Sequence, residues 1–507
     1  MDSITENAAA LLTVDEMARA DAAAISSGTS GAALMEAAGA AITEQIRGRW
    51  ASRPVRVLCG PGNNGGDGFV IARLLADAGW PVTLALLGPR DRLAGDAKLN
   101  SDRWDGPVLP LSPAVLDGAE IVVDAIFGAG LNRSPEGAAR STIEALNLGD
   151  APCVSVDMPS GVHGDSGAVP GAAVRARLTV TFFRRKPGHL LMPGRDLAGE
   201  VVVADIGIPD RVLAAIAPDT FANQPSLWLD RFPWPRASDH KFSRGHALIA
   251  GGTEMTGAAR LAARGAMRIG AGICTIASRP EVRAIYAAYM PGILTTPVSN
   301  EEEFAALLDD DRKNAVLVGP GGGLNRMTRD MALAALATGR ATVIDADGLT
   351  VFSDDPSVLH RAIAGRPCLI TPHDGEFRKI FRHVGDRLSR ARAAARECGA
   401  VVLLKGVDTV IAAPDGRAAI NGNAPPDLAT AGAGDVLAGI ALGLLAQGVD
   451  PFDAGCMAAW MHGAAARAFG PGLIAEDIPE ALPGVMSALK RSGETVESNF
   501  ELFSETV

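Results

Sequence analysis

The chain reads as an α/β protein of two domains, each built on a mostly parallel sheet. Short apolar runs such as Val55–Leu58, Ile121–Val123, Cys153–Val156, Ala315–Val318 and Val401–Leu404 have the length of buried strands and lack the polar alternation of a half-exposed sheet. Most end in a polar or glycine-rich loop, where an open parallel sheet keeps its ligands. At 507 residues the chain is too long for one ordinary core. Pro218, Pro225, Pro233 and Pro235 describe a stiff connector, so residues 1–216 and 238–493 are expected as domains, 217–237 as a linker and 494–507 as a frayed tail.

Composition narrows the function. A net charge of -11 offers no field for nucleic acid or an anionic membrane, so bound phosphates must be held by local N–H groups. Six cysteines without a CxxC pair read as reduced thiols, with neither a disulfide framework nor a zinc site. The acidic start Met1–Glu6 is unlike a signal peptide. The uncharged run Val436–Val449 falls short of the ~20 residues of a membrane span, and a cytoplasmic protein is expected.

In the first half, Thr13–Glu16 fits a capping box that opens a helix over Val14–Ile25, and a second helix runs through Leu34 to Trp50. After the strand Val55–Leu58, Gly60, Gly62 and Gly65 satisfy GxGxxG ahead of a helix expected near Asp67. The next strand, Val82–Leu87, ends without the acid a bound ribose would need, so a simple dehydrogenase reading loses its second anchor. Asn63 and Asn64 point instead to amide contacts with a polar substrate. Asp124 closes the strand Ile121–Val123, and Asp157 and Ser160 follow Cys153–Val156; each acid also fits a turn or cap. Lys186 lies in a turn between two later strands, where it could reach the site, but a solvated lysine is the favoured reading.

The second half centres on Ala429–Gly439. Its glycine-rich loop runs into an apolar helix, and a helix N-terminus approached by small residues is an anion site. Asp435 stands at its mouth, either as a helix cap or as a base that takes a proton from a hydroxyl attacking phosphorus. Gly319–Gly323, Asp345–Gly348, Thr371–Phe377 and Lys405–Thr409 close neighbouring strands. Neither half carries a Walker sequence.

These residues resemble a known pairing. Gly251–Leu261, Ile269–Gly272, Gly319–Gly321, Thr371–Glu376, Lys405–Gly406 and Gly432–Asp435 are similar to the ribokinase-like ADP/ATP-dependent NAD(P)H-hydrate dehydratases. Gly62–Asp67 and Val156–Gly161 are similar to the NAD(P)H-hydrate epimerases. The resemblance spans nearly the whole chain and implies a Rossmann-like αβα domain followed by a ribokinase-like αβα domain. It implies epimerisation of R and S hydrated NAD(P)H, and dehydration of the S form with ADP and Mg²⁺.

For the epimerase it implies substrate contacts from Asn63, Asn64, Gly65, Gly66, Asp67, Gly128, Ala129, Gly130, Leu131, Asn132, Arg133, Ser134 and catalytic Asp157, with K⁺ on Asn64, Asp124 and Ser160. For the dehydratase it implies substrate contacts from Ala258, Gly321, Gly323, His373, Asp374, Gly375, Glu376 and catalytic Asp435. The nucleotide falls to Lys405, Gly406, Val407, Asp408, Thr409, Thr430, Ala431, Gly432, Ala433 and Gly434. Ala37 stands where the family usually has an arginine, so no charged contact is expected from that helix. A homo-oligomer is expected. The alternative is a small-molecule kinase fused to a non-catalytic binding or assembly module; the set Asn64, Asp124, Asp157 and Ser160 speaks against it.

Overall fold

The computed structural model describes residues 7–131 and 133–504, with side chains up to 491. It divides into two compact units, residues 10–220 and residues 1–9 with 221–507. In the first, strands β1 Val55–Cys59, β2 Val82–Leu86, β3 Val108–Pro110, β4 Ile121–Ala125, β5 Cys153–Val156, β6 Leu178–Phe182 and β7 Glu200–Ala204 lie in the order β3-β2-β1-β4-β5-β6-β7. Every neighbouring pair is parallel. The order reverses between β1 and β4, and doubly wound sheets bind ligands beyond the carboxyl ends at such a reversal. Strands β4, β5 and β6 are buried along their whole length, which accounts for their unbroken apolar runs.

Helices α1 Val14–Ser26, α2 Gly31–Arg49 and α3 Asn63–Asp77 precede and follow β1. The capping box is present: Thr13 Oγ1 accepts from the Glu16 N–H at 3.2 Å and Glu16 Oε2 from the Thr13 N–H at 2.8 Å. Helix α3 starts four residues before the expected Asp67. A Cβ on Gly60 would stand 1.7 Å from Ile126 O and one on Gly65 1.9 Å from Gly60 O, so only glycines let the helix begin this close to the strand ends. Asn63 and Asn64 therefore occupy its first turn.

In the second unit, β8 Thr220–Ala222, β9 His246–Ala250, β10 Ile273–Ser278, β11 Leu294–Pro297, β12 Ala315–Val318, β13 Ala341–Ile344, β14 Cys368–Ile370, β15 Val401–Leu404, β16 Val410–Ala412 and β17 Ala418–Ile420 form one sheet. Its order is β11-β10-β9-β12-β13-β14-β15-β16-β17-β8, parallel from β11 to β15 and antiparallel from β15 to β17. Helices α4 Thr256–Ile269, α5 Asp374–Ile380, α6 Arg387–Cys398 and α7 Ala433–Ala446 carry or support its loops. Helix α7 is apolar on every side and almost wholly buried. It lies backbone to backbone on α4: a Cβ on Gly439 would meet Ala262 O at 2.0 Å, and one on Gly265 would meet Val436 O at 2.8 Å.

Two expectations are corrected. From Phe221 onward the proline-rich segment is a packed part of the second unit. Trp228 is fully buried there, its Nε1 donating to Asn223 Oδ1 at 3.1 Å, and Pro225 starts a 3₁₀ turn instead of extending the chain. The expected tail continues the final helix, Asp477–Ser504, and residues 505–507 lie outside the described residues. All six cysteines are buried free thiols. No helix among the described residues is long and apolar enough to cross a membrane.

Gly439→Ala places a methyl group inside the Ala262 backbone contact. It is expected to cost about 3 kcal/mol, read as a lower urea midpoint with unchanged slope.

Candidate functional site

In the first unit a cavity of about 620 Å³ opens at the carboxyl ends of β1, β4 and β5. Asp157, the first residue after β5, has φ 65, a left-handed conformation that costs a non-glycine residue energy and recurs at functional sites. Its Oδ1 accepts from Lys186 Nζ at 2.5 Å and from Thr181 Oγ1 at 2.9 Å, and its Oδ2 from the Ala129 N–H at 3.2 Å. Lys186, expected in solvent, is 2% exposed. Its ammonium has one carboxylate and the Thr181 hydroxyl as partners, and the apolar stem fills the wall. Burial opposes the charge on Asp157, but Lys186, His189 and Thr181 together outweigh it and hold the carboxyl below its usual range.

His189 supports the pair as a neutral ring. Its Nδ1 accepts from the Lys186 N–H at 2.9 Å, leaving Nε2–H to donate to Asp157 O at 2.8 Å. Burial, then the charge of Lys186, pushes its pKa down to about 4.

Asp124 lies buried within β4 and accepts from Ser155 Oγ and the Ser160 N–H at 2.8 Å each and from Ser160 Oγ at 2.5 Å. The Ser160 hydroxyl also accepts from the Phe127 N–H at 2.8 Å. One residue further on, a Cβ on Gly128 would lie 3.1 Å from Asn64 Oδ1 and 3.5 Å from Asp157 Oδ2. The fold thus gathers Asn64, Asp124, Asp157 and Ser160 around residues 127–128. Asn64 Nδ2 is buried without a partner among the described residues.

Asn63, Asp67, Gly128, Ala129, Gly130, Leu131 and Arg133 also line the cavity. Burial, then the charges of Asp157 and Asp21, raises the Asp67 carboxyl well above its usual range. Gly65 and Gly66 serve packing instead: a Cβ on Gly66 would strike Met35 Sδ at 2.6 Å. Ser134 is tied outside the cavity wall by donating to Pro170 O at 2.9 Å. Asn132 lies outside the described residues. Asp21, Thr181 and His189 escaped the sequence reading, and Lys186, weighed there for the site, reads as solvated. Only Asp21 carried a signal, an acid in the inward stripe of α1 with Met17, Ala20 and Ala24.

In the second unit, Lys405 follows β15, with Nζ 2.7 Å from Asp345 Oδ1 and 3.9 Å from Glu376 Oε2. A Cβ on Gly434 would come within 3.6 Å of that ammonium, which places it at the N-terminus of α7. Lys405 is therefore the counter-ion of a carboxylate group. Asp435, in the first turn of α7, feels the surplus. Burial, then Asp345 opposed by Lys405, with Asp347 and Glu376 adding to the rise, pushes its carboxyl up to about 6. Between Asp345 and Asp347, Ala346 sits at φ 49 and ψ -120, a strained turn that sends the two acids to different partners. Asp347 Oδ2 accepts from the Gly323 N–H at 2.9 Å.

His373 caps α5, its Nδ1 accepting from the N–H groups of Gly375 at 2.9 Å and Glu376 at 3.3 Å. The hydrogen is thereby left on the outward Nε2. Asp374 is held by Arg387 at 2.7 Å and Arg390 at 2.9 Å, and Asp408 by Arg387 at 2.7 Å. Thr409 Oγ1 accepts from the Gly406 N–H at 3.0 Å. These contacts of Asp374, Asp408 and Thr409 shape the loops that carry them. Gly321, at φ 66, sits against the Met255 carbonyl at the start of α4, near Ala258. Gly432, at φ 89, turns the chain through Thr430 and Ala431 into Ala433 and Gly434. Val407 is exposed on its loop.

A family described as NAD(P)H-hydrate dehydratase matches residues 246–477, and one described as YjeF-related protein N-terminus matches residues 31–188. The bifunctional NAD(P)H-hydrate repair enzyme Nnr of Moorella thermoacetica is 36% identical, covering 91% of this chain and 94% of its own. Its counterpart in Salinibacter ruber is 37% identical over 91% of this chain and 92% of its own. Among solved structures, the ADP/ATP-dependent NAD(P)H-hydrate dehydratase of Bacillus subtilis, co-crystallised with ATP and Mg²⁺, is 29% identical with a TM-score of 0.44, over 51% of this chain and 94% of that one.

Lys186→Met strands the Asp157 charge. The native pair contributes stability above the unfolded carboxyl pKa of about 3.9, lost as pH falls through the lower folded value. The variant is expected to lose about 3 kcal/mol at neutral pH by urea unfolding, and less near pH 4, where the orphaned carboxyl takes up a proton.

Proposed function

The chain belongs to the bifunctional NAD(P)H-hydrate repair enzymes, and we propose that its two units divide the labour on NAD(P)H that has taken up water. The first interconverts the R and S hydrates. The second dehydrates the S form at the expense of ADP, giving AMP and phosphate.

The observation that carries the reading is Asp435: a carboxyl with pKa near 6, in the first turn of a buried helix, is suited to act as a general base at neutral pH. Asp435 takes the proton of the hydrate's hydroxyl as that oxygen attacks the terminal phosphorus of ADP. The bond from phosphorus to the bridging oxygen breaks and AMP leaves. The ring nitrogen's lone pair then expels phosphate with the carbon–oxygen electron pair, and loss of a proton from the neighbouring carbon restores the double bond. Phosphorylation replaces hydroxide, a poor leaving group, with a good one.

The N–H groups of Ala431–Gly434 stabilise charge on the transferred phosphoryl group. His373, Gly321, Gly323 and Ala258 receive the hydrate, and the backbone of Lys405–Thr409 the nucleotide. Mg²⁺ suits a site where Asp345, Glu376 and Asp435 act on a single lysine and Asp347 adds to the acid surplus at Asp435; on the nucleotide it would offset that charge, with Asp347 available to hold it.

In the first unit Asp157 meets the hydrate, with Asn63, Asp67 and the loop Gly128–Arg133 around it. K⁺ suits the oxygens of Asn64, Asp124 and Ser160. Among the described residues no hydrogen bond fixes the orientation of the Asn64 amide, so its oxygen can turn to a cation, which would add a fixed positive charge there. Six reduced thiols support a cytoplasmic setting.

The test is recovery of reduced-nicotinamide absorbance from hydrated NADH with ADP, ATP or no nucleotide. Asp435→Asn should slow recovery about a thousandfold while R and S still interconvert; wild-type recovery would reject Asp435 as the base. Asp157→Ala should leave an R and S mixture stalled once the S form is consumed, under conditions where spontaneous epimerisation is slow. Complete conversion at the native rate would reject that assignment.

A further inference from the structure

We propose that the carboxyl of Asp21 carries the hydroxyl proton of the hydrate during epimerisation, a role that rests on the reading of the first unit as the epimerase. Asp21 sits on α1 in the inward stripe of Met17, Ala20 and Ala24, where an amphipathic helix ordinarily keeps apolar side chains. It lines the same cavity as Asp157 and Lys186. Among the described residues no hydrogen bond or salt bridge takes up its carboxyl. The partnerless Asn64 amide on the same wall marks the cavity as a place for a polar ligand.

Asp157 is poorly suited to move the proton. Its two oxygens already accept from Lys186, Thr181 and the Ala129 N–H, and the ion pair makes it a weak base. It is suited to hold and orient the ring. Asp21 is poised differently: burial pushes its carboxyl up to about 6, Lys186 pulls it back and Asp157 adds to the rise. The other titratable groups around the cavity are Asp67, whose carboxyl burial raises well above its usual range, Asp96 and Arg133. Asp210, on the short turn packed against α1, is paired with Arg184 at 2.7 Å.

The hydrate is a carbinolamine, so its stereocentre can be inverted without a co-reactant. Asp21 accepts the hydroxyl proton as the bond from the hydroxyl-bearing carbon to the ring nitrogen breaks. The electron pair of that bond passes to the nitrogen and its conjugated carboxamide, and the carbon becomes an aldehyde. After rotation about the adjacent carbon–carbon bond, the nitrogen's pair attacks the other face and Asp21 returns the proton to oxygen. Atoms, electrons and protons balance over the cycle.

The test uses the full chain with ADP, started from R hydrate alone and from S hydrate alone. Asp21→Asn should slow conversion of R hydrate by about a hundredfold, with S-hydrate recovery unchanged. The native epimerisation rate should rise with pH through about 6 and the variant's should not. Because burial disfavours the charged form, the neutral amide should leave the unfolding midpoint at pH 7.5 equal or higher, which separates lost chemistry from lost fold. Asp21→Ala should regain rate on adding formate. Native R conversion in Asp21→Asn, or a slowed rate that keeps the native pH profile, overturns the proposal. If the unaltered chain leaves R hydrate untouched while recovering S hydrate, the epimerase reading itself falls and takes the proposal with it.

Discussion

A carboxylate taken out of water must be matched by a cation or surrender its charge, and each unit of this chain is organised by that constraint. In the first, Lys186 reaches the carboxyl ends of the strands through an apolar wall and keeps Asp157 ionised, while Asp67 and Asp21, denied a cation of their own, are pushed toward the protonated form. In the second, Lys405 is taken up by Asp345 and Glu376, and Asp435, left with only part of that charge, rises toward neutrality. A lysine shared among several acids leaves one of them close to neutrality, where an acid can serve as a base.

The second requirement is close approach. Backbone N–H groups can receive a ligand only if no side chain stands in front of them, and the same absence of side chains lets helices start directly at strand ends. Gly60 and Gly65 bring α3 down onto β1 so that Asn64 enters the cavity from a helix's first turn. Gly439 and Gly265 seat α7 on α4, which fixes where the first turn of α7, with Asp435, points. Packing glycines thus decide where Asn64 and Asp435 point.

Much of this was legible in the residues. The buried strands, the two-domain plan, the capping box at Thr13 and the strand ends and helix starts that carry Asn64, Asp124, Asp157 and Asp435 follow from local pattern, since strand burial and turn chemistry are set by neighbouring residues. The errors concern side chains whose roles depend on distant partners. Lys186 looks solvated because a lone lysine in a turn usually is, and nothing nearby announces that Asp157, twenty-nine positions away, waits for it. Nor does the sequence announce that Arg387 of α6 engages both Asp374 and Asp408.

What the sequence determined by itself is therefore the set of strands, the helices and the loop residues able to do chemistry, because periodicity, glycine placement and capping act within a few residues. What only the tertiary structure decided is which of those groups share a cation, which are tied into loops and which are left unpaired. The physical reason is that electrostatic coupling in a desolvated site depends on distances of a few ångströms between residues far apart in the chain, and the folded sheet, not the order of amino acids, sets those distances.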